Sequence, residues 1–165
     1  MTQERKIPKA ANGSDATEAE LTRLGQLAQQ QAKRVLDKLP LLGPVTWLMM
    51  QQSATRHTLL SELEWRVLPP LVLDQAKLYM QGASPVAFVS WARLSKAAVD
   101  RYRQAPHHLA PADWKSGDQL WIIDAVVPFG AAREVIADVK EKVLPGQTLH
   151  QLVPLPGEPV QIVTW

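Results

Sequence analysis

The 165-residue chain contains no cysteine. That excludes disulfide frameworks, thiolate zinc sites, iron–sulfur clusters and any mechanism that runs through a cysteine nucleophile. Glycine is sparse, at eight residues, and none of it forms a GxGxxG or Walker-type loop. The usual cradles for a pyrophosphate, or for coenzyme A in the acetyltransferase manner, are therefore missing. No stretch approaches the roughly 18 uninterrupted apolar residues of a membrane span. Residues 1–16 carry charges and small polar side chains but no apolar h-region, so neither Sec-type export nor membrane insertion is expected. An excess of one charge is lacking too: 18 Lys and Arg stand against 16 Asp and Glu, a net charge of +2. Seven basic and five acidic residues fall within 1–40, which leaves eleven of each over 41–165. A neutral body of this kind does not call for a nucleic-acid partner. With no HExxH or comparable spacing, no metal site is expected.

What is present fits one domain with a single sizeable core. Residues 1–16 are polar, include Pro8, Gly13 and Ser14, and show no hydrophobic period, which predicts a disordered tail. Thr17 followed by Glu20 matches a capping box at a helix start. From there Leu21, Leu24, Ala28, Ala32 and Val35 make one apolar stripe along a helical arm over 17–40, which Pro40 is expected to end. The domain proper is then 41–165. Within it, Leu60, Leu63, Val67 and Leu68 read as a helix face stopped by Pro69 and Pro70. Lys77 to Met80 and Val86 to Trp91 read as a hairpin turning at Gly82-Ala83-Ser84-Pro85. Residues 94–104 return to helical spacing, and 105–117 are a loop by composition. The run from Leu120 is the most strand-like in the chain: strict alternation predicts Leu120, Ile122 and Asp124 on one face and Trp121, Ile123 and Ala125 on the other. A helix through Val135, Ile136, Val139 and Val143 and two closing strands, Thr148 to Val153 and Val160 to Trp165, complete the pattern. The fold class is α+β, a mixed α/β sandwich around a mostly antiparallel central sheet with flanking helices.

Asp124 is the most informative residue. A carboxylate placed after Trp121-Ile122-Ile123 and before Ala125-Val126-Val127 is expensive to desolvate and needs a partner. It either orients a histidine or is a structural acid that caps a turn or pairs with an arginine. His57, flanked by Ser53, Thr55, Arg56 and Thr58, is the matching candidate base, because imidazole titrates nearest neutrality. His107 and His108 sit in a loop and His150 in a strand, where structural roles suffice. Arg93, Lys96, Arg101 and Arg103 stand against Asp100 alone; such a run is either a solvated helix face or a docking face for an acidic protein.

Several blocks, in order, carry a resemblance to a known family. They are Gly43-Pro44-Val45-Thr46-Trp47-Leu48, the Ser53-to-His57 loop, Val67-Leu68-Pro69-Pro70, and the strand Pro85-Val86-Ala87-Phe88-Val89-Ser90-Trp91-Ala92-Arg93-Leu94-Ser95. Asp113-Trp114-Lys115-Ser116-Gly117-Asp118, Trp121-Ile122-Ile123-Asp124 and Pro128-Phe129-Gly130 follow. Over about residues 43–145 they resemble the RTX toxin-activating lysine acyltransferases. The resemblance implies a GNAT-like acyltransferase fold and a cytoplasmic enzyme that moves a fatty acyl chain from acyl carrier protein to internal lysines of an RTX protoxin. It implies no bound cofactor, acyl carrier protein as donor cosubstrate and partner, and an assembly that can be a homodimer. By position, His57 matches the family's catalytic histidine and Asp124 its aspartate. Ser53, Arg93, Arg101 and Arg103 are further candidates for substrate binding. Two departures stand out: the Trp47-to-His57 spacing is longer than the family's, and Arg56 precedes the histidine where an apolar residue is usual. The alternatives are a carrier-binding module of the same fold without catalysis, and a lysine acyltransferase acting on a protein other than a toxin.

Overall fold

A computed structural model describes residues 13–155 and 157–165; most of the tail expected over 1–16 lies outside them. Helix α1 runs from Gly13 to Gln51, four residues ahead of the expected start at Thr17. The chain divides into two compact units, Met1–Leu36 and Asp37–Trp165. In the first, Leu21, Leu24 and Leu27 of the expected arm are exposed.

Pro40 does not end the helix, and neither does Pro44. A proline inside a helix forfeits one hydrogen bond and strains the preceding turn, at a cost of about 3 kcal/mol. Here the segment that follows repays that cost by packing. Val45, Leu48 and Met49 are buried in a cluster with Val67, Leu71, Phe88 and Val126, and Lys38 anchors the second unit's part of the helix to Asp74 at 2.6 Å.

After a 3₁₀ turn at Leu60–Glu62, two short helices follow, α2 (Leu63–Arg66) and α3 (Leu68–Val72). Pro69 and Pro70 sit in the first turn of α3 rather than beyond its end, because a helix's first N–H groups have no intrahelical acceptor for proline to lose. Strands β1 (Ala76–Gln81) and β2 (Ser84–Leu94) form the expected hairpin. Helix α4 (Lys96–Tyr102) is capped by Ser95, whose Oγ accepts from the Ala98 N–H at 3.2 Å. Arg93 therefore belongs to β2 and not to the basic helix. Strand β3 is Gln119–Val126, helix α5 is Ala132–Asp138 and widens into a π-turn over Val139–Val143, and β4 (Leu149–Leu155) and β5 (Glu158–Thr164) close the chain.

The sheet order is β1-β2-β3-β4-β5. Every neighbouring pair is antiparallel except β3 and β4, which run parallel and pair only at Leu120–Ile122 with Leu149–Gln151. The expected α+β fold with a mostly antiparallel sheet is thus the one observed. Helix α5 covers one face, where Ile136 and Val139 meet Val89, Trp91, Leu120 and Ile122. Helix α4 and the C-terminal part of α1 cover the other, against Ala92, Trp121, Phe88 and Val126.

The Asp113-to-Gly117 block is a structural clasp. Asp113 accepts from Arg101 at 2.5 Å and from the Ala110 N–H at 3.0 Å, Trp114 is fully buried, and Ser116 Oγ accepts from the Ser95 N–H at 2.9 Å. Gly117 packs so closely that a Cβ there would stand 2.5 Å from the Ser95 backbone. Gly117→Ala is expected to cost about 2–3 kcal/mol by overpacking, read as a lowered denaturant midpoint.

On the opposite face Asp138 accepts from Lys142, from Lys77 at 2.8 Å and from the Tyr79 hydroxyl at 2.7 Å. Lys142 first, then Lys77 and Tyr79, hold its pKa well below the usual carboxylate range. A depressed folded pKa contributes stability above the unfolded value and loses it as pH falls toward the folded one. Asp138→Asn should therefore lower the thermal midpoint at neutral pH, with the gap to the parent protein closing in strong acid.

Candidate active site

Strict alternation fails within β3, at the position that matters most. Ser90 pairs with Asp124 but its neighbour Trp91 pairs with Ile122, so Ile123 is an extra residue in the strand, a β-bulge. Before the bulge, Leu120 and Ile122 face α5; after it, that face passes to Ala125. Asp124 thereby joins Trp121 and Val126 on the face covered by α1 and α4, opposite the side that alternation predicts. It is buried, with 5 % of its surface exposed.

Its partner there is an arginine. Arg66, the last residue of α2, donates from Nε to Oδ1 at 2.9 Å and to Oδ2 at 2.8 Å, and from Nη2 to Oδ1 at 2.5 Å. The Asp124 backbone N–H, displaced by the bulge, donates to Ser90 Oγ at 3.2 Å. Burial pushes the Asp124 pKa above the usual carboxylate value, and the Arg66 hydrogen bonds and charge pull against that rise. The same hydrogen bonds raise the Arg66 pKa, so the guanidinium stays protonated.

His57 lies at the end of a run of turns that follows α1. Arg56 N–H donates to the Gln52 carbonyl at 2.9 Å, and the buried Thr55 hydroxyl donates to the Met49 carbonyl at 2.8 Å. The imidazole itself is exposed and makes no hydrogen bond or ion pair among the described residues. Ser53 is exposed in the same run.

What ties this loop to the strand of Asp124 is Gln52. Its Oε1 accepts from the Val127 N–H at 2.7 Å and its Nε2 donates to the Ala125 carbonyl at 3.4 Å. A carbonyl and the N–H two residues on share one edge of a strand, and bonding both is what a parallel neighbour does. Strand β4 has stopped pairing with β3 at Ile122. The Gln52 carboxamide serves the backbone beyond that point as one residue of a parallel strand would.

Where β3 and β4 part there is a cavity of about 240 Å³, lined among others by Trp65, Arg66, Tyr102, His107, Ile123 and Leu152. Burial above all, and then the Asp124 charge, raise the Tyr102 pKa, so its hydroxyl remains a proton donor. His107 is fixed by a 2.9 Å contact between Nδ1 and the Tyr102 carbonyl, and the His108 ring lies against Trp65 at 4.4 Å.

The structure therefore joins Asp124 to Arg66 and does not bond it to His57. Of the basic candidates, Arg93 is half-buried at the end of β2, Arg101 is engaged by Asp113, and Arg103 is exposed beyond α4. Among the described residues no group of three His, Cys, Asp or Glu side chains is arranged to hold a metal. Sequence reasoning missed Arg66, Gln52 and Tyr102. A signal for Arg66 existed, since it is the one Lys or Arg between Arg56 and Lys77 and sits between Trp65 and Val67; a lone cation among apolar neighbours calls for a buried anion. Gln52 left no such trace.

The sequence pattern of the RTX toxin acyltransferase family matches residues 34–165. The chain belongs to that family. Among curated relatives, a leukotoxin-activating lysine-acyltransferase, LktC, of a Pasteurella haemolytica-like species is 38 % identical over 101 residues, 61 % of each chain. The lysine-acyltransferase RtxC of Vibrio cholerae is 33 % identical over 109 residues, 65 % of this chain and 71 % of that one. A protein-lysine myristoyltransferase, RtxC, of Kingella kingae is 34 % identical over 95 residues, 58 % of this chain and 57 % of that one. The match to LktC thus spans under two thirds of that relative's length. In this RTX acyltransferase family member no described helix is long and apolar enough to cross a membrane.

Gln52→Leu leaves the Val127 N–H and the Ala125 carbonyl without their partner, and each such loss costs about 1–2 kcal/mol. The variant should unfold at lower denaturant and lose hydrogen-exchange protection at Val127, while amides in the β1–β2 hairpin keep theirs.

Proposed function

We propose that the chain is a protein-lysine fatty-acyltransferase of the cytoplasm that takes its acyl group from acyl carrier protein and delivers it to lysine side chains of an RTX protoxin. The observation that carries this reading is the Gln52 clamp. It ties a loop bearing an exposed, unbonded imidazole to the strand that carries a buried carboxylate, in a member of a family whose named relatives are lysine acyltransferases.

In this reading a lysine arrives as an ammonium and cannot attack a thioester until it loses a proton. His57 takes that proton and releases it to solvent, and the free amine attacks the thioester carbonyl. As the new C–N bond forms, His57 takes the second proton from the attacking nitrogen; the C–S bond breaks, and the imidazolium passes that proton to the departing thiolate, leaving a neutral amide and a thiol. Asp124 supplies the negative charge that stabilises the imidazolium. With no cysteine in the chain, the acyl group does not pass through a thioester on the enzyme. The exposed Lys96 and Arg103 at the two ends of α4 offer an acidic carrier protein a complementary surface. The cavity at the parting of β3 and β4 is the natural place for the thioester arm, being open to Tyr102 and Arg66 and walled by Ile123 and Leu152.

One observation favours a second reading, a carrier-binding module without catalysis: Asp124 is bonded to Arg66, not to His57. A single assay separates the two. Purified protein is incubated with acyl-loaded carrier and a lysine-bearing RTX acceptor, and the acceptor is weighed by mass spectrometry. The parent chain should add one acyl mass per modified lysine, and His57→Ala and Asp124→Ala should lose at least about 100-fold in rate, the scale of a general base, while keeping the parent circular dichroism. Carrier binding with no mass gain supports the module, and full activity in either variant removes these two residues from the mechanism.

A further inference from the structure

The cation bonded to Asp124 is Arg66, and the geometry of the pair is that of an alignment device. We infer that Arg66 is a positioning residue for acyl transfer: its guanidinium fixes the orientation of the Asp124 carboxylate and holds it as an anion for the reaction's cationic group. The inference rests on the proposed role of Asp124 and deepens it.

Three features carry it. The first is the fork itself, in which Arg66 makes three contacts of 2.5–2.9 Å to both carboxylate oxygens from two nitrogens. A planar guanidinium presents its donors in fixed directions, so two-point contact sets the plane of the carboxylate as well as its position. A carboxylate has about four lone-pair sites, and three contacts leave about one for the imidazolium or ammonium of the reaction.

The second is the anchoring of the fork. The next residue, Val67, is 1 % exposed and packs in the same cluster as Val126, two residues beyond Asp124 on the same face of β3. The Val67–Val126 packing and the Arg66–Asp124 pair thus join the same two segments at adjacent points, and the apolar contact holds the fork in register. The bulge at Ile123 is a requirement of this arrangement, since without it Asp124 would face α5, away from Arg66.

The third is the electrostatic surroundings. A buried, unpaired carboxylate takes up a proton rather than remain charged. The other titratable groups around Asp124 cannot replace the arginine. Glu62, on the turn before α2, repels its charge; Tyr102, from α4, stays neutral; and His107 lines the cavity but spends Nδ1 on the Tyr102 carbonyl. Loss of Arg66 leaves Asp124 protonated, unable to stabilise a cation and free to rotate.

The test uses the full chain with Arg66→Gln, Arg66→Lys and Asp124→Asn, assayed with acyl-loaded carrier and the RTX acceptor. Infrared spectra of protein labelled with ¹³C-aspartate are recorded beside the kinetics, with Asp124→Asn marking the Asp124 band. Arg66→Gln should lower kcat at neutral pH by about 10- to 100-fold with KM for the acyl carrier unchanged, and a protonated-carboxyl band, absent from the parent and from Asp124→Asn, should appear. Arg66→Lys, which keeps the charge without the fork, should abolish that band yet recover only part of kcat. Adding Arg66→Gln to Asp124→Asn should cause no further loss, because the arginine acts through the carboxylate. The inference is overturned if Arg66→Gln lowers stability alone with kcat and the spectrum unchanged, or if the parent already shows the protonated band at neutral pH. Should Arg66→Gln fail to fold, Arg66→Lys decides, and full kcat in that variant overturns the role of the fork. Full activity of Asp124→Asn would instead remove the parent reading, a result distinguishable from all of these.

Discussion

A buried carboxylate must find a positive partner or give up its charge, and that constraint organises the centre of this molecule. Asp124 lies on the middle strand of the sheet with apolar residues on both sides of it in the chain. Its charge is balanced on the face where Arg66 lies, and it reaches that face because one extra residue, Ile123, shifts the alternation of β3. The same bulge turns the Asp124 backbone N–H toward Ser90 and begins where β4 leaves β3. Bulge, ion pair and parting strands are one local solution: where the parallel ladder ends, the backbone is free to kink, and the kink presents a carboxylate to the helices.

Two parts of the second unit are then required for reasons that look unrelated in the chain. The helix carrying Pro40 and Pro44 must continue to Gln51, because Gln52 satisfies the edge of β3 that β4 has abandoned. The short helices α2 and α3 must pack Val67 and Leu71 beside Val126, because that packing sets the height of Arg66 over Asp124. His57 is carried between these two anchors, five residues after Gln52 and nine before Arg66. The loop between them carries an exposed imidazole that is not spent in a hydrogen bond among the described residues.

The family's blocks divide by role once they are placed in the fold. The Asp113-to-Gly117 block, chemically suggestive on paper, is a clasp that seats α4 against the end of β2, and Arg101 belongs to that clasp. The stretch from Trp121 to Asp124 pairs a core segment with the buried acid. The block Val67-Leu68-Pro69-Pro70 matters for what precedes it, since Val67 is the packed neighbour of Arg66. The proposed chemistry therefore falls in the block that ends at Asp124, while the Asp113 block is structural.

Much of the architecture was legible before any coordinates. The hairpin, the strand at Leu120, the helix through Ile136 and the closing strands all follow from alternation and helical spacing, which are properties of neighbouring residues. The absence of cysteine restricted the chemistry, and the apolar flanks of Asp124 marked it as a carboxylate in need of a partner. Three things were decided only in three dimensions. Helix α1 passes through two prolines because Val45, Leu48 and Met49 gain more by burial than the missing hydrogen bonds lose, and burial depends on segments far along the chain. Asp124 changes face because a bulge is set by the register between two strands, which neither strand encodes alone. Its partner is Arg66 rather than a histidine because two residues 58 positions apart become neighbours only when the helices close over the sheet, and the cation already in place there takes the charge.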